Sequence, residues 1–246
     1  MILNIKNTVG GRMKKRLLLL LPALCVLLTS CALLDRLGFD TYDYMSEPVL
    51  RSVPEDGEEA AQLADLLGIL ITDSEQLPTF EHMGDAIREY RDAVLTSMLK
   101  ASYMKYSGNT ALIRKAEQAY PEYHITQIIP EGEFEATMYR CFGGDVKITH
   151  KSGERFYYLP KVNAYISPVM PEDSGLRIHI ITVDETARTW RVRFRVLPEG
   201  GKATRDTVTY FALVIKREDG TLYIKKLLTA ENVDHPKSGF FRKKES

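Results

Sequence analysis

The 246-residue sequence predicts an α+β fold in which amino-terminal helices pack on one face of a curved antiparallel sheet. Three observations carry that prediction. Apolar residues recur at helical spacing between residues 58 and 119. Long strand-like runs joined by short turns fill residues 176–228. No βαβ alternation and no internal repeat interrupts that order. With 44% hydrophobic and 27% charged residues, the composition is that of an ordinary globular protein. Wholly disordered, collagen-like and disulfide-scaffold chains are thereby excluded. Residues 57–230 are long enough to enclose one core and form a single domain.

The elements follow in order. Glu58–Ile71 places Leu63, Leu66, Leu67 and Leu70 at i, i+3, i+4 and i+7, which predicts the first helix. Gly84–Lys105 predicts the longest helix, with Ile87, Tyr90, Val94, Met98 and Ala101 on a stripe. Arg88, Glu89 and Asp92 take its wet side, and Gly108 is a natural stop. Thr110 caps a short helix through Ala119, ended by Tyr120-Pro121. Beyond Tyr123 the residues read as strands at Tyr123–Ile129, Phe134–Phe142, Val146–Thr149 and Phe156–Leu159, with an irregular, proline-rich stretch over 160–175. Leu176–Val183, Trp190–Leu197, Thr207–Lys216 and Leu222–Leu228 then form an antiparallel meander. Trp190, Val192, Phe194 and Val196 alternate with Arg191, Arg193 and Arg195, so one face of that strand is buried and the other wet. Val208–Ile215 is apolar on both faces and reads as a central strand.

Residues 1–30 read as an address. Lys14-Lys15-Arg16 precedes the apolar run Leu17–Leu28, broken only by Pro22, and then Thr29-Ser30-Cys31. A basic start, a short apolar core and small residues at its end describe a secretory signal. The run is well short of the roughly 20 residues needed to span a bilayer. Met13 is an alternative start to Met1. Leu28-Thr29-Ser30-Cys31 resembles the bacterial lipobox, in which Leu and a small residue precede an obligatory Cys. The resemblance implies that the signal is cut before Cys31, that Cys31 carries a thioether-linked diacylglycerol, and that its new amine is acylated. It places the protein on the extracytoplasmic face of the cell membrane as a bacterial lipoprotein. Cleavage after Ala32 by ordinary signal peptidase is the other reading of the same residues.

Residues 31–56 then form the lipidated Cys and a tether of roughly 25–30 Å r.m.s. span. Residues 231–246 form a basic tail containing Phe240-Phe241-Arg242-Lys243-Lys244, read either as a frayed solvated terminus or as a contact for an anionic membrane. Without the signal the chain keeps 28 basic against 33 acidic residues, a net −5 that disfavours a nucleic-acid partner. Cys25 leaves with the signal and Cys31 carries lipid, so Cys141 has no intramolecular disulfide partner. Across residues 84–229 the order of elements resembles the nuclear transport factor 2-like (cystatin-like) cone. That resemblance implies a domain that often encloses a pocket and hosts enzymes, binders and adaptors alike.

Catalytic constellations are sparse. Ser97-Met98-Leu99-Lys100, Ser107-Gly108-Asn109 and Lys151-Ser152-Gly153 follow the order of penicillin-binding protein motifs, but their spacing leaves no room for the helical domain between them. Cys141 with His150 or His179 offers a thiolate–imidazole pair in principle; its place in a strand argues for an inert buried thiol instead. The histidines at 82, 124, 150, 179 and 235 show no ligand spacing, so neither a metal nor a cofactor is expected. Arg191, Arg193 and Arg195 are the notable polar set, their guanidinia about 6–7 Å apart on one sheet face. Such a strip needs anions opposite it, either Asp184 or Glu185 across the hairpin or an anionic ligand, wall polymer or acidic partner. The resulting expectation is a membrane-anchored lipoprotein with a non-catalytic binding or adaptor role in the envelope. An envelope enzyme with a pocket-type active site is the alternative.

Overall fold

The computed structural model describes residues 43–101, 108–144, 147–169 and 172–234. The chain divides after Ser46; in the first unit, Met45 and Ser46 close a turn on Asp43. The unit from Glu47 onward is a mixed α+β domain. Its main sheet is open, curved and antiparallel, with strands β1 (Arg51–Val53), β5 (Leu176–Glu185), β6 (Thr189–Pro198), β7 (Tyr210–Lys216) and β8 (Leu222–Thr229) side by side in that order. Bulges between Ile180 and Thr182 and between Leu213 and Val214 bend it. Residues 51–53, expected within the tether, form its edge strand and pair with Val183–Glu185.

Helix α1 (Glu58–Gly68) buries Ala60, Leu63 and Leu67, and the next turn adds Leu70. Helix α2 (Met83–Ala101) buries Ala86, Tyr90, Val94 and Met98, while Arg88 and Glu89 are exposed as expected. Residues 102–105 of that predicted helix lie outside the described residues. Helix α3 (Thr110–Ala119) ends where predicted, but Thr110 is its first helical residue and Asn109, not Thr110, holds the cap position.

The predicted strand Phe134–Phe142 is instead a helix, α4 (Glu131–Phe142). Phe134, Met138, Cys141 and Phe142 are its buried residues, at i, i+4, i+7 and i+8, a helical spacing that the eye reads as alternation through Phe134, Met138 and Phe142. Glu131 and Glu133 in the first turn and Arg140 in the last match the helix dipole. Tyr123–Ile129 shrinks to strand β2 (Ile128–Pro130), and no strand forms at residues 147–149. The stretch expected to be irregular contains β4 (Ala164–Ile166), which lies between β2 and β3 (Tyr157–Leu159) in a second, three-stranded sheet.

That small sheet is buried on both sides, which hides its period in the sequence. Ile128, Ala164 and Ile166 join a minor core with Ala116, Ile125 and Leu159. Ile129 and Tyr165 turn into the main core, which also holds the buried residues of α1, α2 and α4 together with Trp190, Val192, Phe194, Val196 and Ala212. The segment before α2 is fixed to the main sheet: Phe80 exchanges backbone hydrogen bonds with Leu227, and Leu77 N–H donates to the Tyr210 hydroxyl at 2.8 Å. A short helix α5 (Ala230–Asp234) follows β8 directly.

Glu185, at the end of β5, lies 2.5 Å from Lys216 Nζ and 2.5 Å from Arg51 Nε. Lys216 chiefly, then Arg51, holds its carboxyl below the usual carboxylate range. A depressed folded-state pKa contributes stability above the unfolded value of about 4.3, which disappears as pH falls through the folded value. Glu185→Gln is therefore expected to cost about 1 kcal/mol at pH 7, discounted for the exposed cations. The difference from wild type should vanish in acid. Urea titrations at a series of pH values measure it, and a pH-independent difference would refute this assignment.

Candidate functional site

The arginine strip lies on β6 as the alternation requires. Trp190, Val192, Phe194 and Val196 are buried, and Arg191, Arg193 and Arg195 occupy the opposite face at intermediate exposure. The register sets Asp184 opposite Arg191, Thr182 opposite Arg193 and His179 opposite Arg195. On the other side Leu213 and Phe211 face Arg191 and Arg193, and both are buried. The strip therefore covers apolar surface with its arginine stems as well as carrying charge.

Asp184 lies opposite the strip as expected and its charge attracts Arg193, but the strip's hydrogen-bonding partners come from elsewhere. Glu185 is held by Arg51 and Lys216, and Asp184 accepts from the Ser52 hydroxyl at 2.7 Å. The carboxylate on the strip comes from α5: Asp234 takes Arg193 in a bidentate pair at 2.6 and 3.0 Å. Arg191 Nη2 donates to the Glu47 carbonyl at 2.7 Å. Arg195 Nε donates to the Thr209 hydroxyl at 3.0 Å, a neutral acceptor, and no carboxylate among the described residues forms an ion pair with it. Asp234 falls within the segment read as a basic tail, where the net charge of the tail conceals it.

The remaining sequence candidates do not converge. Cys31 and the tail residues 240–244 lie outside the described residues. Ser97 and Lys100 line a surface cleft of about 520 Å³ with Asp65, Asp173 and Arg177. There Lys100 lies 4.0 Å from Asp173, and the exposed Asp173 carboxyl is brought down to about 2 by Arg177. Ser107, of the second of those motifs, lies outside the described residues. Cys141 sits in the last turn of α4 rather than in a strand, and burial pushes its thiol up to about 11. A thiol at a helix carboxyl terminus also lacks the positive dipole of a helix amino terminus.

One group of polar side chains escaped the sequence reading. Glu131 and Glu135, one turn apart on α4, meet His150 from the 147–150 segment. His150 Nδ1 lies 3.0 Å from the Tyr165 hydroxyl, and its ring stacks on Tyr158 with centroids 5.2 Å apart. The Tyr158 hydroxyl donates to Glu131 Oε2; burial chiefly, and then this bond, raises the Tyr158 pKa above the usual phenol range. Burial also pushes the Tyr165 hydroxyl up to about 12, so both phenols stay protonated donors near neutrality. The available sequence signal was Glu131-x-x-x-Glu135, which acquires meaning once α4 is recognised as a helix. Comparison with known protein families, curated proteins and solved structures found no match to the chain.

Proposed function

We propose that the chain is a lipid-anchored protein on the extracytoplasmic face of a bacterial membrane, with a non-catalytic binding or adaptor role in the envelope. The observation that carries this reading is the succession of Lys14-Lys15-Arg16, the apolar run Leu17–Leu28 and Leu28-Thr29-Ser30-Cys31. No helix among the described residues is long and apolar enough to cross a membrane, so attachment in this reading rests on lipid at Cys31. One acyl chain holds a protein only marginally, whereas two or three hold it stably. The partner is an envelope protein or anionic wall polymer, and the face offered to it is the strip Arg191, Arg193 and Arg195. Arg195 supports that assignment, because among the described residues its hydrogen-bonding partner is a neutral hydroxyl.

Cys31→Ser is expected to move nearly all of the protein from the membrane fraction to the soluble or unprocessed pool. Retention equal to wild type would overturn the anchor. Cross-linking in intact cells, with mass spectrometry of the conjugates, tests the adaptor role. A dominant conjugate lost in Arg195→Glu supports it; conjugates matching those of an unrelated lipoprotein refute it. A second reading, an envelope enzyme, is favoured by the meeting of two carboxylates and an imidazole at Glu131, Glu135 and His150.

A further inference from the structure

The Glu131, Glu135 and His150 group has the geometry of a metal site, and the argument for it is independent of the anchor and of the arginine strip. His150 Nε2 lies 3.1 Å from Glu135 Oε1 and 3.9 Å from Glu131 Oε1. One donor atom from each residue falls within 4.8 Å of the others. Ligands bound at 2.0–2.2 Å to a tetrahedral Zn²⁺ stand about 3.3–3.6 Å apart. Small side-chain rotations on a rigid helix close the remaining gap.

The surroundings orient these donors. Tyr165 is fully buried in β4 and holds Nδ1 of His150, directing Nε2 toward the carboxylates. Nε2–H donates to Glu135 Oε1 at 3.1 Å and the Tyr165 hydroxyl serves Nδ1; a bound ion takes the place of the Nε2 proton, and the phenol, which both donates and accepts, then accepts from Nδ1–H. Tyr158 occupies Glu131 Oε2 and leaves Oε1 as the oxygen nearer His150. Phe134 packs edge-on against His150 at 6.2 Å and closes the apolar side. Ligating histidines in metal sites are held by partners of this kind on the second ring nitrogen. Arg91, whose charge reaches Tyr165, is paired with Asp92 at 2.9 Å. Side-chain exposures of 11% for His150, 28% for Glu131 and 33% for Glu135 leave one side open to water.

We propose that Glu131, Glu135 and His150 bind a first-row divalent transition ion of the Zn²⁺ class, with an open fourth position for water or an anionic ligand. The imidazole selects such ions over Mg²⁺ and Ca²⁺, which prefer all-oxygen sites. Without the ion, the two carboxylates one helical turn apart repel; the metal removes that repulsion.

The full-length chain, without a histidine tag and purified in detergent, would be stripped with EDTA and titrated with ZnCl₂ in competition with a chromogenic chelator. One Zn²⁺ per chain is expected. Glu135→Gln and His150→Gln should each weaken binding by about a hundredfold or more, and Tyr165→Phe by about tenfold. Zn²⁺ should raise the unfolding midpoint of wild type and leave that of Glu135→Gln unmoved. An unchanged far-ultraviolet circular dichroism spectrum of metal-free Glu135→Gln separates a lost ligand from a lost fold. No Zn²⁺ bound by wild type, or equal affinity in wild type and Glu135→Gln, overturns the proposal.

Discussion

Phe134→Ala is expected to destabilise the domain by about 3–5 kcal/mol, a large part of the 5–15 kcal/mol that holds a typical domain folded. Phe134 is fully buried at the start of α4, and its ring meets Tyr165 edge-on with centroids 5.1 Å apart. Truncation removes the transfer energy of the ring and leaves a cavity that two rigid neighbours, α4 and the small sheet, cannot fill by collapse. The midpoint of chemical denaturation should fall with its slope unchanged. Phe134→Leu keeps most of the volume and should cost less than about 1.5 kcal/mol. If both variants behave alike, the contact between α4 and β4 contributes little to stability.

Gly143→Ala is expected to cost about 2–4 kcal/mol, from left-handed backbone strain and a steric clash together. Gly143 ends α4 with φ +69° and ψ −175°, a region essentially confined to glycine. A Cβ there would lie 2.6 Å from Tyr223 Cε2. The Tyr223 ring is also held by the Arg217 guanidinium, 4.6 Å from its centroid, and Arg217 in turn donates to the Tyr139 carbonyl at 2.9 Å. The end of α4 is thus fastened to β8 through these side chains. Gly175, with φ +69° and open space around its missing Cβ, is the control: Gly175→Ala should show strain alone, about 1 kcal/mol. Equal costs at the two positions would mean that the Tyr223 ring moves aside freely.

The arginine strip shows how far sequence reasoning reaches. Alternation along β6 placed all three guanidinia on one face, because side-chain direction in a strand is a local property. Their partners were not legible. Asp234 arrives from α5 and the Glu47 carbonyl from the segment before β1, 41 and 144 residues away in sequence. The same limit explains α4 and β4. Phe134, Met138 and Phe142 satisfy both a strand and a helix pattern, and choosing between them requires the surroundings that bury Cys141 as well. In β4 all three residues are buried, so no alternation marks it.

By itself the sequence determined the helices α1 to α3 and the four-strand meander, since each is marked by an apolar period, an apolar run or terminal signals over enough residues to fix its type. The proposed lipid anchor rests on sequence alone as well, since it is a string of adjacent residues. Tertiary structure decided α4, the small sheet, the partners of the arginines and the meeting of Glu131 and Glu135 with His150. Each of these depends on which distant segment supplies the opposing surface. Burial and hydrogen bonding are properties of pairs of segments, and a single chain's local pattern records only one member of each pair.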